Sequence, residues 1–125
     1  MSEEQTIEQA ILRGDWDAVI DAATQWTQSA TAGPRAFFAL NAMYLLKGEF
    51  GLAWQMHAKS LQDEADIANV REWADRLNTT YPEEGYVHLL YGLFLAQSGQ
   101  SEQSIKSYQT AIQLAPDSPL SLIHI

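Results

Sequence analysis

Residues 85 to 116 read GYVHLLYGLFLAQSGQSEQSIKSYQTAIQLAP, and this stretch decides the fold. Leu89, Gly92, Leu93 and Ala96 recur at the spacing of one helix face, and so do Ile105, Tyr108, Ala111, Ile112 and Ala115. Two amphipathic helices are predicted, each with an apolar face that it cannot bury alone. Between them Gly99 is placed to end the first helix, because glycine accepts the left-handed conformation of a helix C-terminus. Pro116 stops the second, since proline cannot continue the hydrogen-bond ladder. Small residues such as Gly92 and Ala111 let the two helices approach closely, and the ring of Tyr108 fills the neighbouring gap. The stretch reads as a hairpin of two antiparallel helices.

Upstream the same features recur. Gly14-Asp15-Trp16 and Gly48-Glu49-Phe50 each place a glycine, a polar residue and an aromatic in a row, 34 residues apart. Gly99-Gln100-Ser101 lies 51 residues beyond Gly48, one and a half such periods, and Ala65-Asp66-Ile67 marks the half period. In the unit beginning at Gly85, the residues His88, Tyr91-Gly92, Leu95, Gly99, Ser104, Tyr108, Ala111 and Pro116 resemble the tetratricopeptide repeat pattern. That pattern runs Trp, two residues, Leu-Gly, two residues, Tyr, then Ala, three residues, Phe, and a closing Pro. Moving back 34 residues gives Gly51, Trp54, His57-Ala58, Leu61, Ala65, Val70, Ala74, Leu77 and Pro82; an earlier, looser copy runs Phe37, Leu40, Tyr44, Gly48, Phe50, Ala53, His57. The resemblance is clear over 51–84 and 85–118 and weaker over 1–50. The chain departs from the pattern at His88 in place of the first aromatic, at Ser104 in place of alanine, and at Asn41 where glycine is usual. The resemblance implies an all-α solenoid of stacked antiparallel helix pairs, with Trp54 buried in the middle of the stack.

About seven helices are predicted, over residues 3–13, 16–29, 34–47, 50–63, 66–80, 85–98 and 101–114. Ser2 with Gln5 three residues later suits a capping box at the start. Thr31-Ala32-Gly33-Pro34 has the composition of a break between helices. Seven is an odd number for a protein made of pairs. The helix beginning at Phe50 fits equally as the second member of the pair opened at Pro34 and as the first member of the pair closed by Pro82. Alternatively, the helix at 66–80 is an insertion that shifts the phase of the repeat.

Composition bounds the function. Apolar residues make up 46% of the 125-residue chain and charged residues 18%, enough for a continuous core. The formal net charge of −9 with seven Lys and Arg argues against nucleic acid, whose binding depends on cations neutralising phosphates. The charge is uneven: residues 33 to 62 hold Arg35, Lys47 and Lys59 against Glu49 alone, a mildly basic zone between acidic flanks. There is no cysteine, hence no disulfide and no thiolate site. The start, Met1-Ser2-Glu3-Glu4-Gln5, lacks the basic and apolar stretches of a secretion signal. The longest apolar run, Val87 to Ala96, is about half the roughly 20 residues of a membrane span. A cytoplasmic protein that binds no membrane is expected.

The terminus breaks the pattern. After Asp117-Ser118-Pro119, a helix-start signal, comes Leu120-Ser121-Leu122-Ile123-His124-Ile125. This hexapeptide is one reading of CTG TCT CTT ATA CAC ATC, the transposase mosaic end used in sequencing libraries. Residues 120–125 are therefore expected to be a non-native tail on a truncated reading frame that continues past Pro119. A truncated stack leaves its last helix uncapped, with Ile105, Tyr108 or Ile112 incompletely covered and available for self-association.

In tetratricopeptide proteins the first helices of successive pairs line a groove that receives an extended peptide or a helix. Carried over by position, the resemblance implies Tyr86, Leu89, Leu93, Ala96 and Gln97 from the last unit and Leu52, Gln55, Lys59, Gln62 and Asp63 from the one before. Leu89 and Leu93 could equally pack on neighbouring helices. The family's clamp for a C-terminal carboxylate needs Lys and Asn at set positions, of which Lys59 alone is present, so chaperone-tail binding is not expected. His57 and His88 belong to different hairpins without acids at ligand spacing, which predicts packing residues and no metal site. Asp15, Asp17 and Asp21 read as a solvated helix start. No serine has a paired histidine, and no glycine loop cradles phosphate, so neither catalytic residues nor a cofactor is expected. Two functions stand: a protein-binding module of scaffold or co-chaperone type, or the helical accessory part of a larger enzyme or sensor.

Overall fold

A computed structural model describes residues 2–29 and 33–114; Thr31, Ala32, Pro116 and the hexapeptide at 120–125 lie outside the described residues. Among the described residues the chain forms seven helices and no strand: α1 (Glu3–Arg13), α2 (Trp16–Thr27), α3 (Pro34–Leu46), α4 (Phe50–Ser60), α5 (Glu64–Thr80), α6 (Gly85–Gln97) and α7 (Ser101–Leu114). The all-α class and the order of helices agree with the apolar periodicity of the sequence.

Local chemistry sets the boundaries. Ser2 Oγ accepts from the Gln5 amide at 3.2 Å while Gln5 Oε1 accepts from the Ser2 amide at 3.1 Å, a complete capping box on α1. Asp15 Oδ1 caps α2 through the Ala18 amide at 3.1 Å. Pro34 opens α3 at a position where its missing N–H costs nothing. Gly14, Gly48 and Gly99 all have positive φ, of 69°, 77° and 84°, and each begins the short turn between the two helices of a hairpin. A residue with a Cβ would be strained there.

The chain divides within α5 into two compact units, Met1–Val70 and Arg71–Ile125. In the first, α1 packs on α2, α2 on α3 and α3 on α4. Ile7, Val19, Phe38, Met43 and Val70 are sealed from solvent in it. In the second, α6 packs on α7, with Trp73, Leu77, Val87 and Phe94 buried. The pairing of α4 with α3 selects the first of the two pairings left open by the sequence. It leaves α5 as the additional helix, which follows the hairpin α3–α4 and precedes the hairpin α6–α7 in chain order.

Two sequence expectations are corrected, the first by this pairing. Trp54 is 72% exposed and fills no gap between helices. A shift of 34 residues from Gly85 lands on the second helix of a pair, whereas the shift of 51 that carries Gly48 onto Gly99 carries Trp54 onto Ile105, which is also exposed at 46%. The second correction concerns α6, which is buried on most of its surface and not on one stripe; Val87, Leu90 and Phe94 lie off the predicted face and are covered as well. A helix that is apolar all round must be enclosed on several sides. The C-terminal part of α5 supplies part of that cover, with the Arg71 guanidinium 5.7 Å from the centre of the Phe94 ring and Asp75 hydrogen-bonded to Tyr91. On α7, Tyr108 is buried and Ile112 half-buried, so the exposed large apolar side chains of this helix are Ile105 and Leu114.

Candidate functional site

The seams of the hairpins α3–α4 and α6–α7 each hold a buried side-chain hydrogen bond. Asn41 on α3 and Ala53 on α4 face each other, and the buried Asn41 Nδ2 donates to the Ala53 carbonyl at 2.7 Å. Moving both positions by 51 residues gives Gly92 on α6 and Ser104 on α7, and there the bond runs the other way: buried Ser104 Oγ donates to the Gly92 carbonyl at 2.9 Å. Each departure from the repeat pattern at these positions thus serves to tie two helices together. A Cβ added at Gly92 would stand 3.0 Å from Tyr108 Cδ1 and Cε1, so the absent side chain is what lets the ring lie on the helix. Burial of that ring, more than its bond with Ser104, sets the Tyr108 phenol, which is raised above its ordinary value.

The surface residues implied for partner binding divide between the two units. Tyr86, Leu89, Leu93 and Gln97 share one stripe of α6 by their spacing. The middle of the stripe is closed: Leu89 and Leu93 are 2% and 9% exposed and belong to the core. Its ends reach the surface through Tyr86 and Gln97, both half-buried, and Gln97 Nε2 donates back to the Leu93 carbonyl at 3.3 Å. Ala96 is exposed. In the first unit Gln55 and Lys59 are exposed on α4, and the Lys59 ammonium sits 5.7 Å from the centre of the Phe37 ring. Leu52, Gln62 and Asp63 are also exposed, the last capping α5 through the Asp66 amide at 2.9 Å.

In comparisons with known proteins, no family model, no curated protein and no solved structure matched the chain.

The histidines act locally. His57 stacks on Trp54, with centroids 5.5 Å apart and planes inclined by 28°, and the His88 Nε2 lies 2.7 Å from the Pro82 carbonyl oxygen at the turn into α6. Among the described residues no group of three His, Cys, Asp or Glu side chains could hold a metal ion. No described helix is long and apolar enough to cross a membrane. The residue that sequence reasoning misplaced is Trp54, which lies exposed on α4 together with Phe50. The 51-residue interval between Gly48 and Gly99 is the register that fits this placement, but the sequence offers the 34-residue interval equally.

Proposed function

We propose that this chain is a protein-binding module of the tetratricopeptide kind, a scaffold or co-chaperone, that takes a peptide or helix of a partner protein and has no catalytic chemistry of its own. The observation that carries the reading is the seam at Gly92, Ser104 and Tyr108, where the large ring of the repeat pattern lies so near the small residue that an added Cβ would stand 3.0 Å from it. Helix pairs closed at such a seam leave their outer faces free for ligands. Tyr86 and Gln97 on α6, and Gln55 and Lys59 on α4, are the residues proposed to touch the partner. Leu89 and Leu93 are proposed to hold α6 in place from beneath. Polar and aromatic heads without a convergent acid, base or nucleophile suit recognition and not turnover.

Selection of binders from a displayed library of peptides tests the proposal. Selected peptides should lose affinity on Tyr86→Ala or Lys59→Ala while both variants keep the parent helicity. A library that yields no binder, or binders indifferent to all four residues, refutes it. The reading as an accessory part of a larger enzyme predicts instead that these surfaces contact another domain encoded in the same reading frame.

A further inference from the structure

The α4 helix has two apolar faces and the hairpin uses one of them. Ala53 and Ser60 are buried against the rest of the first unit, as the α3–α4 packing requires. Roughly a third of a turn round the helix from that seam, Phe50, Trp54 and Ala58 follow one another at four-residue spacing, all exposed, with Phe50 at 67% and Trp54 at 72%. Side chains four apart on a helix stack into one ridge, so this is a continuous apolar ridge along the helix. Stacking of His57 on Trp54 holds the indole from one side and limits the entropy lost when a ligand immobilises it.

We propose that Phe50, Trp54 and Ala58 form a docking ridge for an amphipathic helix of a partner protein whose polar flank is acidic. It uses none of the α6 residues proposed above for peptide binding and shares with that surface only Gln55 and Lys59, at its polar flank. Two observations select the occupant. The first is area: two rings of this exposure offer on the order of 300 Å², well short of the roughly 800 Å² per partner of a stable dimer. One helix with a few apolar anchors matches that area, and a centrally placed Trp is the kind of residue that dominates such interfaces. The second is charge. Residues 33–62 carry three cations and one carboxylate, while the rest of the chain carries four cations and fifteen carboxylates. The ridge therefore stands in the basic zone of a chain whose net charge of −9 repels a second copy. Within that zone Arg35 is paired with Glu4 at 2.8 Å and Lys47 with Asp17. Lys59 is on the same helix as the ridge and is paired with no carboxylate among the described residues, its ammonium resting over Phe37. A helix laid along the ridge brings one polar flank past Gln55 towards Lys59, where an acidic side chain is favoured.

The test uses the whole 125-residue chain labelled with nitrogen-15, whose four indole N–H signals come from Trp16, Trp26, Trp54 and Trp73. Trp54→Phe identifies the signal of interest by its loss. The probes are a designed helical peptide with leucines on one face and glutamates on its flanks, and a counterpart with lysines replacing the glutamates. The expected result is that the glutamate peptide shifts the Trp54 indole and leaves the buried Trp73 indole in place, while the lysine peptide binds several-fold more weakly. The double variant Phe50→Ala with Trp54→Ala should weaken binding at least tenfold at unchanged helicity, Lys59→Glu should weaken it several-fold, and Tyr86→Ala should leave it unchanged. Absence of any Trp54 shift, equal shifts from both peptides, or a chain dimer that disappears on Trp54→Ala overturns the proposal. None of these outcomes bears on peptides that depend on Tyr86.

Discussion

Replacing Gly92 by leucine tests the seam from which the functional reading starts. The glycine carries no side chain because a Cβ there would meet Tyr108 Cδ1 and Cε1 at 3.0 Å and Cζ at 3.3 Å, closer than carbon atoms ordinarily pack. The phenol ring is 5% exposed and cannot swing aside into solvent. Leucine must therefore push α7 away from α6, and overpacking of this kind costs about 1–3 kcal/mol. Separation of the helices also breaks the bond from Ser104 Oγ to the Gly92 carbonyl, a further loss of about 1 kcal/mol. Leucine recovers about 1 kcal/mol through its better helix propensity, so the last two effects offset and the net destabilisation is about 1–3 kcal/mol. Urea unfolding followed by dichroism at 222 nm, with a slope of roughly 1–3 kcal/mol/M, should show a midpoint lowered by about 1 M. Gly92→Ala should fall between the parent and the leucine variant. In combination with Tyr108→Leu, which removes the ring, its cost should shrink, with a coupling of about 0.5–3 kcal/mol. A leucine variant that unfolds at the midpoint of the parent, or a double variant that is strictly additive, refutes the close approach at Gly92.

Trp54→Ala should change stability by less than about 0.5 kcal/mol, as exposed positions do, whereas Trp73→Ala, at 1% exposure, should cost about 3–5 kcal/mol; paired thermal melts separate the two. Gly99→Ala forces a Cβ into a left-handed backbone at φ 84° and should lower stability by about 1–2 kcal/mol, read from its urea midpoint. Asn41→Ala removes the tie to the Ala53 carbonyl and should cost about 1–3 kcal/mol, whereas Gln55→Ala on the exposed face of α4 should be neutral in the same assay. The hydrogen bond to Asp75, and secondarily burial, pushes the Tyr91 phenol up to about 12. Its folded value lies above the unfolded value near 10, so its contribution to stability is complete below that pH and disappears as pH rises through about 12. Absorbance at 295 nm should show a late-titrating tyrosine that moves earlier on Asp75→Asn.

Much of the helix boundary chemistry was legible because it is local. Ser2 and Gln5, Asp15, Gly48 and Gly99 act within a few residues of themselves, so their spacing alone announces the caps and turns that the structure contains. Pairing is different in kind. Whether α4 belongs with α3 or with α5 depends on which apolar faces meet across the chain, and a 34-residue offset from Gly85 offers a plausible register for the wrong choice. That offset sent Trp54 inward on paper, and packing put it outward. The same non-local information explains Leu89 and Leu93: helical spacing places them on a stripe with Tyr86 and Gln97, but only their neighbours in space decide that the middle of the stripe is core and its ends are surface.

By itself, then, the sequence determined the class, the number of helices, the capped and glycine-ended boundaries, and the small-residue contact at Gly92, since propensity, capping and periodicity are properties of short segments. It did not determine the end of α4 at Ser60 or the start of α5 at Glu64. Only tertiary structure decided the partner of each helix, the reversal of the seam hydrogen bond between Asn41 and Ser104, and the exposure of Phe50 and Trp54. An apolar residue is compatible with either a core or a ligand face. What distinguishes the two is whether another part of the chain arrives to cover it, and that depends on long-range packing, which periodicity within one helix does not encode.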